Sequence, residues 1–138
     1  MTAFLDAAIF MYAGGGHHPL RGPCQAILQR AKDRTLDATT SAEVVQEILH
    51  RYIAVRRPSD GLRIAREALI QFRPVVALTD SVIRRVPDLV ERYPQLSARD
   101  LVHVATCLDQ GIDTIISPDR ALDAVSEIKR LDPFEAAA

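Results

Sequence analysis

Residues 96–119 read LSARDLVHVATCLDQGIDTIISPD, and this stretch decides the fold. From Ala98 to Gln110 apolar residues cover most sides of a helix, the pattern of a buried central element rather than a surface one. Ser97 followed three residues later by Asp100 matches a helix-start capping box. Gly111 is a natural C-terminal stop. Thr114–Ile116 is then a short apolar strand, and Ser117-Pro118-Asp119 reads as an N-cap, a proline at the first helical position and an acid in the first turn. A buried helix that feeds a buried strand is the repeating unit of a layered α/β fold.

Working outward, four more apolar stretches read as strands: Thr2–Leu5, Leu36–Thr39, Val75–Leu78 and Ile128–Leu131. Helical stripes fill the gaps. Leu20, Cys24, Ile27, Leu28 and Ala31 form one; Val45, Ile48, Leu49, Tyr52 and Ile53 form a second. Leu62, Ala65, Leu69 and Phe72 form a third, and Val82, Val86, Leu89 and Tyr93 a fourth, which Pro87 is expected to kink or interrupt. Strands that alternate with helices predict an α/β three-layer sandwich with a central, mainly parallel five-stranded sheet. No repeat, low-complexity tract or linker divides residues 1–138, so they read as one domain.

Composition narrows the function classes. With 48% apolar and 25% charged residues the chain is an ordinary globular one, and its net charge of −1 gives no basic surplus of the kind that marks many nucleic-acid binders. Cys24 and Cys107 are far apart and form no C-x-x-C, which argues against a zinc or redox pair and for buried, inert thiols. No basic leader and no long apolar run is present, so neither a signal peptide nor a membrane span is expected, and the sequence reads as cytoplasmic.

In open α/β sheets active groups collect beyond the carboxyl ends of the strands. Asp6 directly follows the first strand, Glu43 and Glu47 lie in the helix after the second, Asp100 opens the buried helix, and Asp119 and Asp123 follow Thr114–Ile116. Carboxylates gathered in one place repel unless some stay protonated or a cation joins them. A hard divalent ion such as Mg²⁺ or Mn²⁺ prefers oxygen ligands and serves phosphodiester hydrolysis. Each acid also has a local explanation. Asp100 and Glu43 fit capping boxes after Ser97 and Thr40, Glu47 fits an i,i+4 pair with Arg51, and Asp6 fits a turn cap. One detail favours a cation: Glu43 and Glu47 are like charges at i,i+4, mildly destabilising when nothing positive lies nearby.

The motifs themselves carry a resemblance. Phe4-Leu5-Asp6-Ala7-Ala8-Ile9-Phe10-Met11-Tyr12 resembles the opening of PIN domains. Thr40-Ser41-Ala42-Glu43-Val44-Val45-Gln46-Glu47-Ile48-Leu49 resembles the family's second motif, Leu96 to Ala105 its third, and Ile115 to Asp123 its fourth. The order and spacing match along nearly the whole chain, and the likeness is greatest to the VapC toxins. The resemblance implies a PIN fold, an endoribonuclease dependent on Mg²⁺ or Mn²⁺ that cleaves RNA by metal-activated water, a homodimer, and a VapB-type antitoxin partner. By motif match it assigns the metal-binding and catalytic roles to Asp6, Glu47, Asp100 and Asp119. Glu47 is chosen over Glu43 because the family's acid directly precedes an aliphatic pair, here Ile48-Leu49. Glu43 and Asp123 remain secondary candidates. Where members usually carry a hydroxyl or amide residue just after the first Asp, this sequence has Ala7 and Ala8, so Asp6 is expected to lack its usual orienting neighbour. The alternative is a non-catalytic PIN-fold module that binds RNA or protein.

Other features fit less demanding roles. Gly14-Gly15-Gly16-His17-His18-Pro19 lacks the Gly-Lys-Ser/Thr ending of a phosphate loop and reads as a flexible connection. His103 reads as a half-buried helical histidine one turn after Asp100, and His50 as a surface residue. The five arginines between Arg51 and Arg66 are a candidate RNA track or an ordinary solvated helix pair. Arg51 and Arg99 read as surface helix charges, with contact to the substrate's phosphates as the alternative. A receiver domain fits badly, because Ala7 replaces the second acid after the first strand, and a haloacid-dehalogenase-type phosphatase would need Asp-x-Asp where the chain has Asp6-Ala7-Ala8.

Overall fold

The computed structural model describes residues 1–138. In chain order its elements are β1 (Ala3–Leu5), α1 (Ala7–Gly14), α2 (Arg21–Lys32), β2 (Ala38–Thr39), α3 (Ala42–Ala54), α4 (Pro58–Gln71), α5 (Asp80–Arg92), α6 (Ala98–Gln110), β3 (Thr114–Ile116), a 3₁₀ turn (Arg120–Ala124), β4 (Lys129–Leu131) and α7 (Pro133–Ala137). The strands pair in parallel in the order β2-β1-β3-β4. Parallel neighbours cannot be joined by a tight turn, so each connection crosses back through helices. The sheet is flanked by those helices, and the buried apolar side chains form one continuous core. No helix is long and apolar enough to cross a membrane.

The sheet has four strands where five were expected. Val75–Leu78 contributes a single parallel bridge, between Val76 and Ser41. The Ala42 N–H donates to the Val76 carbonyl at 2.8 Å and the Val76 N–H donates to the Thr40 carbonyl at 2.9 Å. The reason is local: β2 ends after Thr39 because Ser41 already caps α3, which leaves no ladder for a longer partner. The other strands sit within one or two residues of the sequence reading, the usual uncertainty of element ends.

Helix ends follow the side chains present. Ser97 accepts from the Asp100 N–H at 3.1 Å to open α6, and Gly111 closes it with a left-handed φ of 68°. Ser41, not Thr40, caps α3 by accepting from the Val44 N–H at 3.2 Å. The Thr40 hydroxyl instead donates to the Leu5 carbonyl at 2.9 Å, tying β2 to β1. Asp119, not Ser117, caps the 3₁₀ turn by accepting from the Ala121 N–H at 3.0 Å. Helix α5 runs unbroken through Pro87. Cys24 and Cys107 are buried and unpaired, and burial pushes both thiols up to about 12, as inert thiols require.

The chain leaves β1 for β2 on one side of the sheet, while β3 lies on the other. This reversal opens a crevice beyond the carboxyl ends of β1 and β3, the usual place for a site in such sheets. Helix α1 starts at that crevice and packs against α2, α3 and α4. The α3–α4 hairpin is tight because residue 61 is glycine. A Cβ there would fall 2.6 Å from Tyr52 Cβ, closer than real Cβ atoms approach. Gly61→Ala would gain about 1 kcal/mol of helix propensity, but overpacking against the base of a buried side chain costs about 1–3 kcal/mol. The substitution is expected to lower rather than raise the midpoint of urea unfolding.

Candidate metal centre

The site is built from register. In the parallel pairing of β1 with β3, Phe4 lies beside Ile115 and Leu5 beside Ile116. One step further places Asp6 beside Ser117, and the Asp6 N–H donates to the Ile116 carbonyl at 3.2 Å. The Ser117 hydroxyl donates to Asp6 Oδ2 at 2.6 Å, and its oxygen accepts from the Asp119 N–H at 3.1 Å. Asp6 Oδ1 accepts from the Ala7 N–H at 2.8 Å and so caps α1. A carboxylate that is only 7% exposed is thereby fixed at both oxygens.

Two helices complete the arrangement. Glu47 comes from the middle of α3 and His103 from α6. His103 Nε2 donates to Glu47 Oε1 at 2.8 Å and lies 3.7 Å from Asp6 Oδ1. One donor atom from each of Asp6, Glu47 and His103 falls within 4.8 Å of the others. His103 is 1% exposed and its ring centroid is 5.6 Å from that of Phe4. Its Nδ1 is buried with no partner. The histidine is therefore fully buried rather than half-buried, and it binds Glu47 across the helix interface rather than Asp100.

Asp100 lies in the first turn of α6, half-buried, close enough for the charges of Asp119, His103 and Glu47 to act on it. Asp119 is exposed at the rim of the crevice. The secondary candidates are engaged elsewhere. Glu43 Oε1 is 3.8 Å from Arg99 Nε, and Asp123 is held by Arg130 at 2.8 Å and 3.3 Å. The like-charge conflict between Glu43 and Glu47 is thus relieved by α6, which gives Arg99 to one and His103 to the other. Glu47 makes no ion pair with Arg51; its partner is His103.

Electrostatics mark the centre. Burial raises Asp6 above the ordinary aspartate range; His103 and the Ser117 hydrogen bond oppose this, and Glu47 adds to it. Burial likewise raises Asp100, with further pushes from Asp119 and Glu47 against the opposing Ser97 hydrogen bond and His103. For His103, burial works against the charged ring, but the hydrogen bond to Glu47 and the charges of Asp6, Glu47 and Asp100 outweigh it and raise the histidine. Three groups hold protons more tightly here than in water. A divalent cation answers the same need, and carboxylate oxygens suit a hard ion such as Mg²⁺ or Mn²⁺.

Sequence reasoning missed the parts played by Ser117 and His103. Register brings Ser117 to Asp6 across 111 residues, which no local pattern reveals. For His103 a signal existed: a polar residue on a helix apolar on most sides needs a partner.

The chain belongs to the PIN domain family, whose model matches residues 3–128. Within that family it is similar to Ribonuclease VapC23 of Mycobacterium tuberculosis (strain CDC 1551 / Oshkosh), at 37% identity over 121 residues, 86% of this chain and 94% of that protein. Among solved structures, VapBC2 from Rickettsia felis, bound to a DNA fragment from its promoter, has a TM-score of 0.74 at 12% identity, covering 96% of this chain and 98% of that chain. A toxin–antitoxin complex from Klebsiella pneumoniae has a TM-score of 0.68 at 15% identity, covering 96% of this chain and 98% of that one. These structural likenesses show the fold.

Two outcomes are expected. Ser117→Ala removes the hydrogen bond that orients Asp6 and should weaken Mn²⁺ binding by roughly tenfold, as loss of such supporting contacts does; calorimetric titration checks this. Raised groups stabilise the fold at low pH and lose that contribution as pH climbs through their folded pKa. Asp6 and Asp100 are raised above 3.8, so the loss begins in the acid range, and His103, raised as well, carries it on past 6.5. Thermal melts in EDTA should therefore show stability falling as pH rises past that value, with Mn²⁺ reversing the loss.

Proposed function

We propose that this chain is an endoribonuclease dependent on Mg²⁺ or Mn²⁺ and that it serves as the toxin of a VapBC-type toxin–antitoxin pair. The observation that carries this reading is the buried Asp6 carboxylate, fixed by Ser117 at the sheet's crevice and faced by Glu47 and His103. The chain is similar to a protein named as a ribonuclease, and its fold neighbours are toxin–antitoxin structures.

Asp6, Glu47, Asp100 and Asp119 are the residues we assign to hold the ion. When bound, it supplies Lewis-acid activation of water and offsets negative charge on the phosphoryl oxygens. The protein's own groups set up that chemistry. Ser117 locks one Asp6 oxygen and the Ala7 N–H the other, so the carboxylate cannot rotate away. His103 holds Glu47 Oε1 and leaves Oε2 unengaged. Asp100 and Asp119 occupy the open side, from which a phosphodiester approaches. No serine, cysteine or histidine nucleophile is required, since Ser117 and His103 are both committed to carboxylates.

Ala7 and Ala8 had left open a module that binds without cutting. Ser117 supplies an orienting hydroxyl from just beyond β3, which supports the catalytic reading. Partners follow from the same reading: a VapB-type antitoxin, and a second copy of this chain.

In this reading Asp100→Asn should lower RNA cleavage at least about 100-fold, more than losing a supporting contact would, and EDTA should do the same to the wild type. Mapped RNA ends and growth of expressing cells give the test. If cutting and toxicity both persist in the variant, the assignment of the site is wrong.

A further inference from the structure

The glycine–histidine connection and the arginine stretch, thirty-odd residues apart, converge on one pocket. It has a volume of about 400 Å³ and lies between α1 and α3. Its inner end is Ala8, two residues after Asp6, and another wall is Arg51, one turn after Glu47. The pocket therefore runs outward from the acids along both helices. Tyr12, further along the same lining, is about 9 Å from Asp6 along the axis at the helical rise.

The lining presents flat aromatic faces beside cations. The rings of Tyr12 and His18 are stacked, with centroids 4.5 Å apart and planes at 34°. His18 is exposed, and its Nδ1 accepts from the Leu20 N–H at 3.0 Å, which fixes the ring and leaves Nε2 free. The Arg57 guanidinium sits 5.9 Å from the Tyr52 ring centroid. Arg57 is shared with Asp60, but Arg51 has no ion-pair partner. The glycines keep the mouth clear. A Cβ on Gly15 would meet the Met11 carbonyl at 2.7 Å and Tyr52 Oη at 3.7 Å, while Gly16 faces open space.

We propose that this pocket is a nucleobase subsite of the RNA strand, in which a base beside the scissile phosphate stacks on Tyr12 and His18 while Arg51 takes a neighbouring phosphate. The inference rests on the ribonuclease reading above. Every base has a π-face, so stacking on such a pair tolerates many sequences, and a guanidinium free of a partner is suited to phosphate. An acidic peptide would use the arginines but has no use for the stacked rings, which is why RNA is favoured. The chain's net charge of −1 is no obstacle, since the subsite needs a local cation and not a basic surface.

The test separates this subsite from the acids. Binding of a short, labelled single-stranded RNA is measured by fluorescence anisotropy in the non-cutting Asp100→Asn protein, with Tyr12→Leu, Tyr12→Phe, His18→Ala or Arg51→Ala added. Mn²⁺ binding is measured by calorimetric titration for the same substitutions in the otherwise unaltered chain. Tyr12→Leu and His18→Ala should weaken RNA binding by about tenfold while Tyr12→Phe does not. Arg51→Ala should weaken it too and reduce the slope of log affinity against log salt by roughly 0.7. Mn²⁺ affinity should be unaffected. His18 and Arg51 are at the surface, so their variants report even where Tyr12→Leu fails to fold. Unchanged RNA affinity in the His18 and Arg51 variants overturns the proposal, as does a parallel loss of Mn²⁺ binding. Failure of the ribonuclease reading looks different: no cutting of RNA by the wild type with any divalent ion, whatever these variants bind.

Discussion

Burying a carboxylate where other carboxylates must come near is the constraint from which the rest of the structure follows. Asp6 leaves the central strand at the point where strand order reverses, almost wholly out of water. An unpaired carboxylate in such a place would protonate, and burial does push it that way. The fold answers with donors at both oxygens, from Ser117 and the Ala7 N–H, and with an imidazole that stands between Asp6 and Glu47. That solution leaves His103 Nδ1 buried and unpartnered, at a cost of about 1–3 kcal/mol for a group of this kind. A core built for stability alone would place an apolar residue there, so the expense points to the acids as the reason for the histidine.

Helix α6 is the element that reconciles these demands. Within one turn and a half it presents Arg99 to Glu43, Asp100 to the crevice and His103 to Glu47. It can do this because it is packed on several sides, which fixes the direction of each side chain. The two glutamates on α3 look mismatched when read alone. Set against α6 they are two halves of a complementary surface, and the conflict that suggested a cation from sequence is partly met by the protein's own groups. The case for a divalent ion rests instead on the convergence of Asp6 and Glu47 at the crevice, with Asp100 close enough to feel the charges of Glu47 and Asp119.

Much of the fold was legible because local rules dominate it. The apolar helix closed by Gly111, the short strand after it and the caps from Ser97 and Asp6 are decided within a few residues. What stayed hidden depends on partners distant in sequence. Val75–Leu78 has the composition of a strand, yet a neighbour ending at Thr39 offers it one bridge. Glu47 and Arg51 have the spacing of an ion pair, yet Glu47 turns inward to His103. For the same reason the acids could be proposed by motif, while the hydroxyl that steadies Asp6 could not. Ala7 and Ala8 read as a gap only until register brings Ser117 alongside.

The balance of charge teaches the same lesson at larger scale. A net charge near zero gives no sign of nucleic-acid binding, but a sum over the chain hides its arrangement. Asp60 takes up Arg57 and lies 3.9 Å from Arg63, Asp80 takes up Arg84, Glu127 takes up Arg92, and Asp123 takes up Arg130. These arginines are cancelled where they stand, and screened surface pairs of this kind steer little. Arg51 escapes cancellation because the acid one turn before it is committed to His103. The hydrogen bond that orders the acidic centre is therefore also what leaves a cation free at its edge. One buried contact sets the negative and the positive side of the crevice together.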